Sequence, residues 1–173
     1  MESVVLVDAY DNEVGTMEKM EAHEKGILHR AFSVFVFNSN DELLIHRRAL
    51  EKYHSGGLWT NTCCSHPRPG EELSSAAHRR LVEEMGFDCE LHHAFSFIYH
   101  AELDKGLAEH ELDHVFVGVF NGEPNINKDE VCEWRYVGLT ELSEEMQNHP
   151  EIFTEWFKIA LPIVKREKNK VTV

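Results

Sequence analysis

Residues 65–87 read SHPRPGEELSSAAHRRLVEEMGF, and the second half of this segment has the clearest helical pattern in the chain. Apolar residues recur there at intervals of three and four, which places them on one face of a helix. These residues are Leu73, Ala76, Ala77, Leu81 and Met85. The pattern predicts a helix over residues 71–85. Gly86 follows at once, and glycine commonly ends a helix.

On both sides of this helix the sequence is typical of β-strands. Residues 31–37 (AFSVFVF) are almost wholly apolar, which predicts a strand buried on both faces. The turn at 38–41 leads into 42–48, so a hairpin is expected. Further strands are expected at 3–8, 14–16, 89–100, 112–120 and 134–137, and further helices at 17–24, 140–147 and 150–166. This order predicts an α/β fold, with α/β/α layers around a mixed β-sheet.

The composition fits one folded domain over residues 1–173. Hydrophobic residues make up 42% of the chain, and no repeat, low-complexity tract or long linker divides it. The net charge of -14 argues against nucleic acid as a partner, because phosphate backbones bind basic surfaces. A small phosphorylated ligand remains compatible with this charge, since a few inward-facing cations are enough to hold one.

The N-terminus and the cysteines indicate in which cellular compartment the protein is expected. The first residues lack the basic start and apolar stretch of a signal peptide, and no apolar run approaches the ~20 residues that span a bilayer. The adjacent Cys63 and Cys64, with Cys89 and Cys132 isolated, do not form a disulfide framework. We therefore expect a soluble, cytoplasmic protein with no membrane partner. Nothing in the pattern specifies an oligomeric state.

The loop TNTCCSHP at residues 60–67 directly precedes the predicted helix and carries Cys64 and His66. Loops fixed next to rigid elements are where catalytic groups concentrate, and a thiol can act as a nucleophile or an acid. The alternative is that Cys64 packs as a small hydrophobic residue, as free cysteines commonly do. No Cys-x2-Cys pair is present, which argues against a zinc finger.

Two carboxylates and three histidines are candidates for a metal site. Glu109 and Glu111 alternate along an extended segment, where residues i and i+2 point to the same side, so both can reach one site. Together with His23, His29 and His66 they suit Mn²⁺, Zn²⁺ or Fe²⁺. The chain has 12 histidines, and surface positions are the alternative for each of them.

Four cations come from separate predicted elements of this acidic chain: Lys19, Arg48, Lys52 and Arg80. If they converge, they form a pocket for a diphosphate, with bidentate contacts from arginine and point charges from lysine. Otherwise they are solvated surface residues. Tyr99 and Trp156 are equally ambiguous: each could belong to a site or to the core, because aromatic residues on strands and helices usually pack inside.

Residues 65–87 resemble a Nudix box, G-x5-E-x7-R-E-U-x-E-E-x-G-U, in which U is apolar. Two positions depart from the pattern: Ser65 replaces the opening glycine, and Arg80 replaces the glutamate that follows the arginine of the pattern. The matching positions are Glu71, Arg79, Leu81, Glu83, Glu84, Gly86 and Phe87. Nudix hydrolases use the glutamate cluster to bind Mg²⁺ and cleave diphosphates. The resemblance implies a Nudix-like fold, and the cation at position 80 favours holding an intact diphosphate.

From Asp8 to Trp156 the chain is similar to the type I isopentenyl-diphosphate delta-isomerase family. The segments HRAFSVFVFN, HRRALEK, GLWTNTCCSHP and YHAELDKGLAEHELDHVF carry this resemblance. It implies that Cys64 and Glu111 are catalytic and that Glu84 binds a Mg²⁺ that arrives with the substrate. It implies a Mn²⁺ or Zn²⁺ site made by His23, His29, His66, Glu109 and Glu111. It also implies that the diphosphate is held by Lys19, Arg48, Lys52 and Arg80.

The implied reaction converts isopentenyl diphosphate to dimethylallyl diphosphate through a tertiary carbocation. One proton is added and another is removed from the opposite face, so two proton-transfer groups are needed. Cys64 and Glu111 are the candidates, and which of them donates is left open. Tyr99 is expected to tune or relay a proton, and Trp156 to face the cation. The rival functions are a Nudix hydrolase and a catalytically inactive metal-binding domain.

Overall fold

A computed structural model describes residues 1–168, in which nine strands form one sheet and four α-helices pack on it. The strands are β1 Ser3–Val7, β2 Glu13–Glu18, β3 His29–Phe37, β4 Glu42–Arg48, β5 Trp59–Thr60, β6 Cys63–Ser65, β7 Leu91–Glu102, β8 Ala108–Val119 and β9 Val131–Gly138. The helices are α1 Lys19–Lys25, α2 Leu73–Met85, α3 Leu139–Asn148 and α4 Glu155–Glu167, with 3-10 turns at Asp104–Gly106 and Pro150–Ile152. The expected α/β layers around a mixed sheet are confirmed.

Strand β3 is the centre of the sheet, and it is buried on both faces, as its apolar run predicts. It runs parallel to β8, from the pair His29 and Glu111 to the pair Phe37 and Val119. It is antiparallel to β1, β4 and β6, and β8 forms a long antiparallel ladder with β7. The last strand, β9, pairs with β4. Strands from distant parts of the chain therefore meet around β3.

The two faces of the sheet carry two separate cores. Helix α2 covers the face that carries Phe32 and Val34 of β3, using the apolar side predicted from its sequence. Helices α3 and α4 cover the other face, where Phe35 packs with Phe157. Because successive side chains of a strand alternate between faces, neighbouring apolar positions such as Val34 and Phe35 of β3 belong to different cores.

Several element boundaries differ from the expectation, among them those of α1, β8 and the last predicted helix. Helix α1 begins at Lys19 rather than 17, because Met17 pairs with Val4 in the sheet and the Glu18 side chain caps the helix at the Glu21 amide. Strand β8 begins four residues earlier than expected. The last predicted helix is interrupted before α4, where the Thr154 amide donates to the Trp59 carbonyl oxygen at 3.0 Å.

The short strands β5 and β6 were not expected, because two or three residues are too few to show a period. The end of α2 agrees with its sequence: Gly86 lies in the left-handed region at φ 72°, and its amide donates to the Val82 carbonyl oxygen. Among residues 1–168, no helix is long and apolar enough to cross a membrane.

Candidate active site

A cavity with a volume of about 160 Å³ is lined by residues of β3, β6, β8, α2, α4 and the loop after β4. Its walls are strongly polar and carry both signs of charge. The predicted site residues that line it are Lys19, Arg48, Lys52, Cys64, His66, Arg80, Glu84, Glu109, Glu111 and Trp156. The remaining three are His23, His29 and Tyr99, which lie behind the wall against the two glutamates. The structure thus brings all thirteen predicted residues to one place.

Cys64 and Cys63 point to opposite faces of the sheet. Cys64 is paired with Ser33 and borders the cavity, whereas Cys63 is paired with Val34 and is fully buried under α2. Burial raises the pKa of the Cys64 thiol far above its ordinary value, so the side chain is held as a neutral thiol. Of the adjacent pair, Cys64 is therefore the cysteine that can exchange a proton with a molecule in the cavity.

The loop before Cys64 is held in place by polar side chains that replace missing strand hydrogen bonds. The Asn61 amide nitrogen donates to the carbonyl oxygens of Val34 and Cys63, at 3.1 and 2.8 Å. The Thr62 hydroxyl donates to the Leu44 carbonyl oxygen at 2.7 Å. Asn61 and Thr62 are both fully buried. This explains why the sequence places an amide and hydroxyls between two apolar strands.

Glu109 and Glu111 reach the same site because β8 starts early enough to include both of them. They pair with Ala101 and Tyr99 of β7, and each is about 95% buried. The Tyr99 hydroxyl contacts both carboxylates and can donate its proton to one at a time. Burial, followed by the charges of the two glutamates, raises the pKa of Tyr99 well above its ordinary value. Tyr99 is therefore a neutral donor that holds the carboxylates together.

The histidines behind Glu109 and Glu111 have a defined tautomer. His23 Nδ1 lies 2.7 Å from the Lys19 carbonyl oxygen and His29 Nδ1 lies 2.8 Å from that of Ile27. A carbonyl oxygen only accepts, so Nδ1 carries the proton and Nε2 of the neutral ring is left with a free lone pair. Metal-binding histidines are oriented in this way.

The Nε2 atoms of two histidines face one carboxylate oxygen. His29 Nε2 lies 3.1 Å from Glu111 Oε2, and His66 Nε2 lies 2.7 Å from the same oxygen. Two acceptors would repel each other at these distances, so a proton or a cation must lie between the two atoms of each pair. Burial lowers the pKa of His66 to about 4, whereas at His29 the hydrogen bond and charge of Glu111 outweigh burial and raise the pKa above its ordinary value. The donor set therefore fits a divalent ion, with imidazole and carboxylate ligands suited to Mn²⁺, Fe²⁺ or Zn²⁺.

The electrostatics keep Glu111 ionised. Burial alone would raise its pKa, but the neighbouring imidazoles of His29 and His66 outweigh burial and hold that pKa well below the ordinary value. An ionised carboxylate can bind a metal ion or accept a proton. Glu111 and Cys64 thus face one cavity as an ionised carboxylate and a neutral thiol.

Two arginines present unused donors to the cavity. Arg48 and Arg80 each have a buried Nε with no hydrogen-bond partner among the described residues. Arg48 is 6% exposed, donates from Nη2 to the His54 carbonyl oxygen at 3.1 Å, and lies 5.3 Å from the ring centre of Trp156. Buried donors without partners are costly, and an anionic ligand in the cavity would satisfy them.

The other cations of the cavity are paired with carboxylates that the sequence analysis did not select. Lys19 Nζ lies 2.9 Å from Glu2, and Lys52 contacts Glu130. These acids could have been recognised only from the tertiary structure, since Glu2 and Glu130 are far from Lys19 and Lys52 in the chain.

Glu84 points from α2 into the cavity and is paired with the arginine that departs from the Nudix box. Arg80 Nη2 lies 2.5 Å from Glu84 Oε1. Burial raises the pKa of Glu84 even though Arg80 acts in the opposite direction. The Glu84 carbonyl oxygen accepts from the Asn127 amide at 2.9 Å, which fixes the end of the helix. Glu84 is therefore a buried carboxylate of the Nudix box that faces the cavity, and the Arg80 cation lies beside it.

Sequence reasoning missed three further residues of the site. His54 lies against Glu109, with Nε2 2.8 Å from Oε1, and no spacing in the sequence marks it. Ser33 donates to Asp113 Oδ2 at 2.7 Å. Asp113 continues the alternation of Glu109 and Glu111 along β8, so this signal was available. Burial, together with the charge of Glu111, raises the pKa of Asp113 well above its ordinary value.

Comparison with known proteins agrees with this fold. A family model described as the NUDIX domain matches residues 27–157. A crystal structure of DR0079 from Deinococcus radiodurans superposes with a TM-score of 0.71 at 18% identity, covering 85% of this chain and 90% of the other, which shows the fold.

Curated relatives are much closer in sequence. The chain is 55% identical over 160 residues to a protein of Aromatoleum aromaticum named isopentenyl-diphosphate Delta-isomerase 2, covering 92% of this chain and 85% of that protein. It is 56% identical over 157 residues to a protein of the same name from Photorhabdus laumondii, covering 91% of this chain and 89% of that protein. The chain therefore belongs to the isopentenyl-diphosphate Delta-isomerase family of Nudix-fold proteins.

Proposed function

We propose that this chain interconverts isopentenyl diphosphate and dimethylallyl diphosphate, and that residues 1–173 act as one isomerase domain. The observation that carries the proposal is a single cavity that has a neutral thiol, an ionised carboxylate and unpartnered arginine donors on its walls. The thiol is Cys64 and the carboxylate is Glu111. The names of the relatives support the same substrate pair.

The diphosphate is held by the cations of the cavity. Arg48 and Arg80 donate to its oxygens through Nε atoms that have no hydrogen-bond partner within residues 1–168, and Lys19 and Lys52 add charge. Because the diphosphate is not changed by the reaction, these contacts position the hydrocarbon end. Mg²⁺ that enters with the substrate needs oxygen ligands, and Glu84 is the carboxylate placed to supply one.

The proton transfers take place at the other end of the cavity. One group adds a proton to the terminal alkene carbon, which gives a tertiary carbocation, and the other removes a proton from the carbon beside the diphosphate-bearing carbon. The net result is a moved double bond with no change in composition. Cys64 and Glu111 perform the two transfers, and general acid–base catalysis of this kind contributes roughly 10²–10⁴-fold.

The surrounding residues protect and orient these groups. Trp156 is buried at the cavity wall, where its ring face can stabilise the cation by ~2 kcal/mol when desolvated. Tyr99 fixes the two carboxylates relative to each other. A divalent ion bound by His23, His29, His66, Glu109 and Glu111 would orient Glu111 and adjust its acidity. The four free thiols of the chain fit a reducing cytoplasm.

A product assay tests the proposal. The protein is incubated with isopentenyl diphosphate, Mg²⁺ and Mn²⁺, and both dimethylallyl diphosphate and released phosphate are measured. We expect the isomer without phosphate release, and we expect Glu111→Gln to abolish it while leaving the fold intact. Phosphate release without the isomer would indicate a hydrolase instead. Arg80 stands where the Nudix box has a glutamate, and this favours the isomerase because it leaves the box one carboxylate fewer for a hydrolytic metal site.

A further inference from the structure

His54 is a buried histidine of the site that neither the sequence pattern nor the family resemblance selects. It lies in the loop between β4 and β5 and is 1% exposed. Its Nε2 lies 2.8 Å from Glu109 Oε1, but the contact does not have the geometry of a hydrogen bond, and Nε2 has no other partner among the described residues. We propose that His54 is a fourth imidazole ligand of the divalent metal ion bound at the His/Glu centre.

The position of His54 relative to His23 supports this role. The two rings are stacked with centroids 5.5 Å apart, and His23 Nε2 lies 3.7 Å from the same Glu109 oxygen. His23 Nε2 is also buried with no hydrogen-bond partner. Two ring nitrogens that have no hydrogen-bond partner in the described part of the chain therefore lie close to one carboxylate oxygen. Buried polar atoms are rarely left without a partner, and one cation bound between the nitrogens and the oxygen would satisfy both nitrogens.

The geometry favours one shared ion over two separate ions. The potential ligand atoms form two groups, one of His23, His29, His66 and Glu111 and one of His23, His54 and Glu109, with all atoms of a group within 4.8 Å of one another. His23 belongs to both groups, yet its Nδ1 is committed to the Lys19 carbonyl oxygen, so it has one lone pair to offer. The atoms of the two groups do not all lie within 4.8 Å of one another, so a single ion at this lone pair would take ligands from both groups once their side chains move slightly closer.

The loop holds His54 in this position through several contacts. The His54 carbonyl oxygen accepts from Arg48 Nη2, and the Ser55 amide donates to Asp104 Oδ1 at 2.8 Å. Ser55 lies at φ 54°, a left-handed conformation that needs such support. A Cβ on Gly56 would lie 2.4 Å from the Leu50 carbonyl oxygen, so the backbone passes too closely for any other residue.

The tautomer of His54 also agrees with metal binding. Its Nδ1 lies 3.0 Å from the Ser55 hydroxyl, which can accept the Nδ1 proton and leave the Nε2 lone pair free. With His54 included, the centre has four imidazoles and two carboxylates. Six ligands suit an octahedral ion such as Mn²⁺ or Fe²⁺ better than Zn²⁺, which mostly takes four.

The inference rests on the metal centre proposed above but not on isomerase activity, so it is tested by metal binding. The purified protein is loaded with Mn²⁺, and X-ray absorption at the manganese edge counts the imidazole ligands. We expect four in the unmodified protein and three in His54→Ala. We also expect the affinity for Mn²⁺, measured by calorimetry, to fall at least 10-fold, since even residues behind a ligand contribute 10–100-fold.

Two further variants separate a ligand from a hydrogen-bonding or structural residue. His54→Gln keeps a donor for Glu109 but has no imidazole, so we expect weakened Mn²⁺ binding in this variant too. His46→Gln removes a different buried histidine, whose Nδ1 contacts the Thr62 carbonyl oxygen, and should leave Mn²⁺ affinity unchanged.

Three imidazoles in the unmodified protein, with normal Mn²⁺ affinity in His54→Gln, would overturn the assignment of His54 and leave the rest of the centre standing. Failure of the unmodified protein to bind Mn²⁺ would overturn the centre itself. Neither result depends on whether the substrate is isomerised.

Discussion

The titration of His46 allows the clearest numerical prediction. His46 is 2% exposed on β4, outside the metal centre, and burial lowers its pKa from 6.5 to about 3. In the unfolded chain the ring takes up a proton below pH 6.5, whereas in the folded protein it stays neutral down to about pH 3. The unfolded state thus binds more protons in this range, so stability falls as the pH decreases.

The size of the effect follows from the two pKa values. Each unit of pH below 6.5 costs up to ~1.4 kcal/mol, so the His46 contribution to the free energy of unfolding falls by about 2 kcal/mol between pH 7 and pH 5. Urea denaturation of the unmodified protein and of His46→Gln, at both pH values, isolates this contribution, because all other titrating groups are common to the two. Equal losses of stability in the two proteins would refute the reasoning.

Three other substitutions have defined outcomes. Gly86→Ala should lower the free energy of unfolding in urea by ~2 kcal/mol or more, because alanine at φ 72° costs about 1–2 kcal/mol and its Cβ would lie 2.1 Å from the Asn125 carbonyl oxygen; an unchanged midpoint would contradict this. Arg48→Lys should raise KM for isopentenyl diphosphate by about tenfold with a smaller change in kcat, since one bidentate contact is lost, and an unchanged KM would remove Arg48 from substrate binding. Trp156→Ala should lower kcat by about 30-fold, equivalent to ~2 kcal/mol, whereas Trp156→Phe should lower it far less. Equal losses in both Trp156 variants would exclude a role for the aromatic face.

Much of the fold could be predicted because its central elements are long and regular. The helical period of α2 and the apolar run of β3 each persist long enough to define an element and its buried side. Alternation along β8 correctly predicted that Glu109 and Glu111 share a site. The two-residue strand β5 and the interruption before α4 could not be predicted, since each depends on contacts with distant residues such as that of Thr154 with Trp59.

Some residues of the site could likewise be predicted from the local sequence, whereas others depend on tertiary contacts. The residues around Cys64 are contiguous in the chain, so the family resemblance selects them together. His54 reaches Glu109 only because a loop with a left-handed Ser55 folds back against Arg48. The partners of the cations depend on tertiary structure too, as the pairing of Lys52 with Glu130 illustrates.

The orientation of adjacent cysteines on β6 is the feature on which the proposed chemistry depends. Initial rates with saturating isopentenyl diphosphate, Mg²⁺ and Mn²⁺ should be measured for Cys64→Ala and Cys63→Ala, after thermal melting has confirmed that both variants are folded. The account predicts a loss of roughly 10²–10⁴-fold for Cys64→Ala and a rate within a few-fold of the unmodified protein for Cys63→Ala. Near-normal turnover by Cys64→Ala, or inactivation by Cys63→Ala alone, would contradict it.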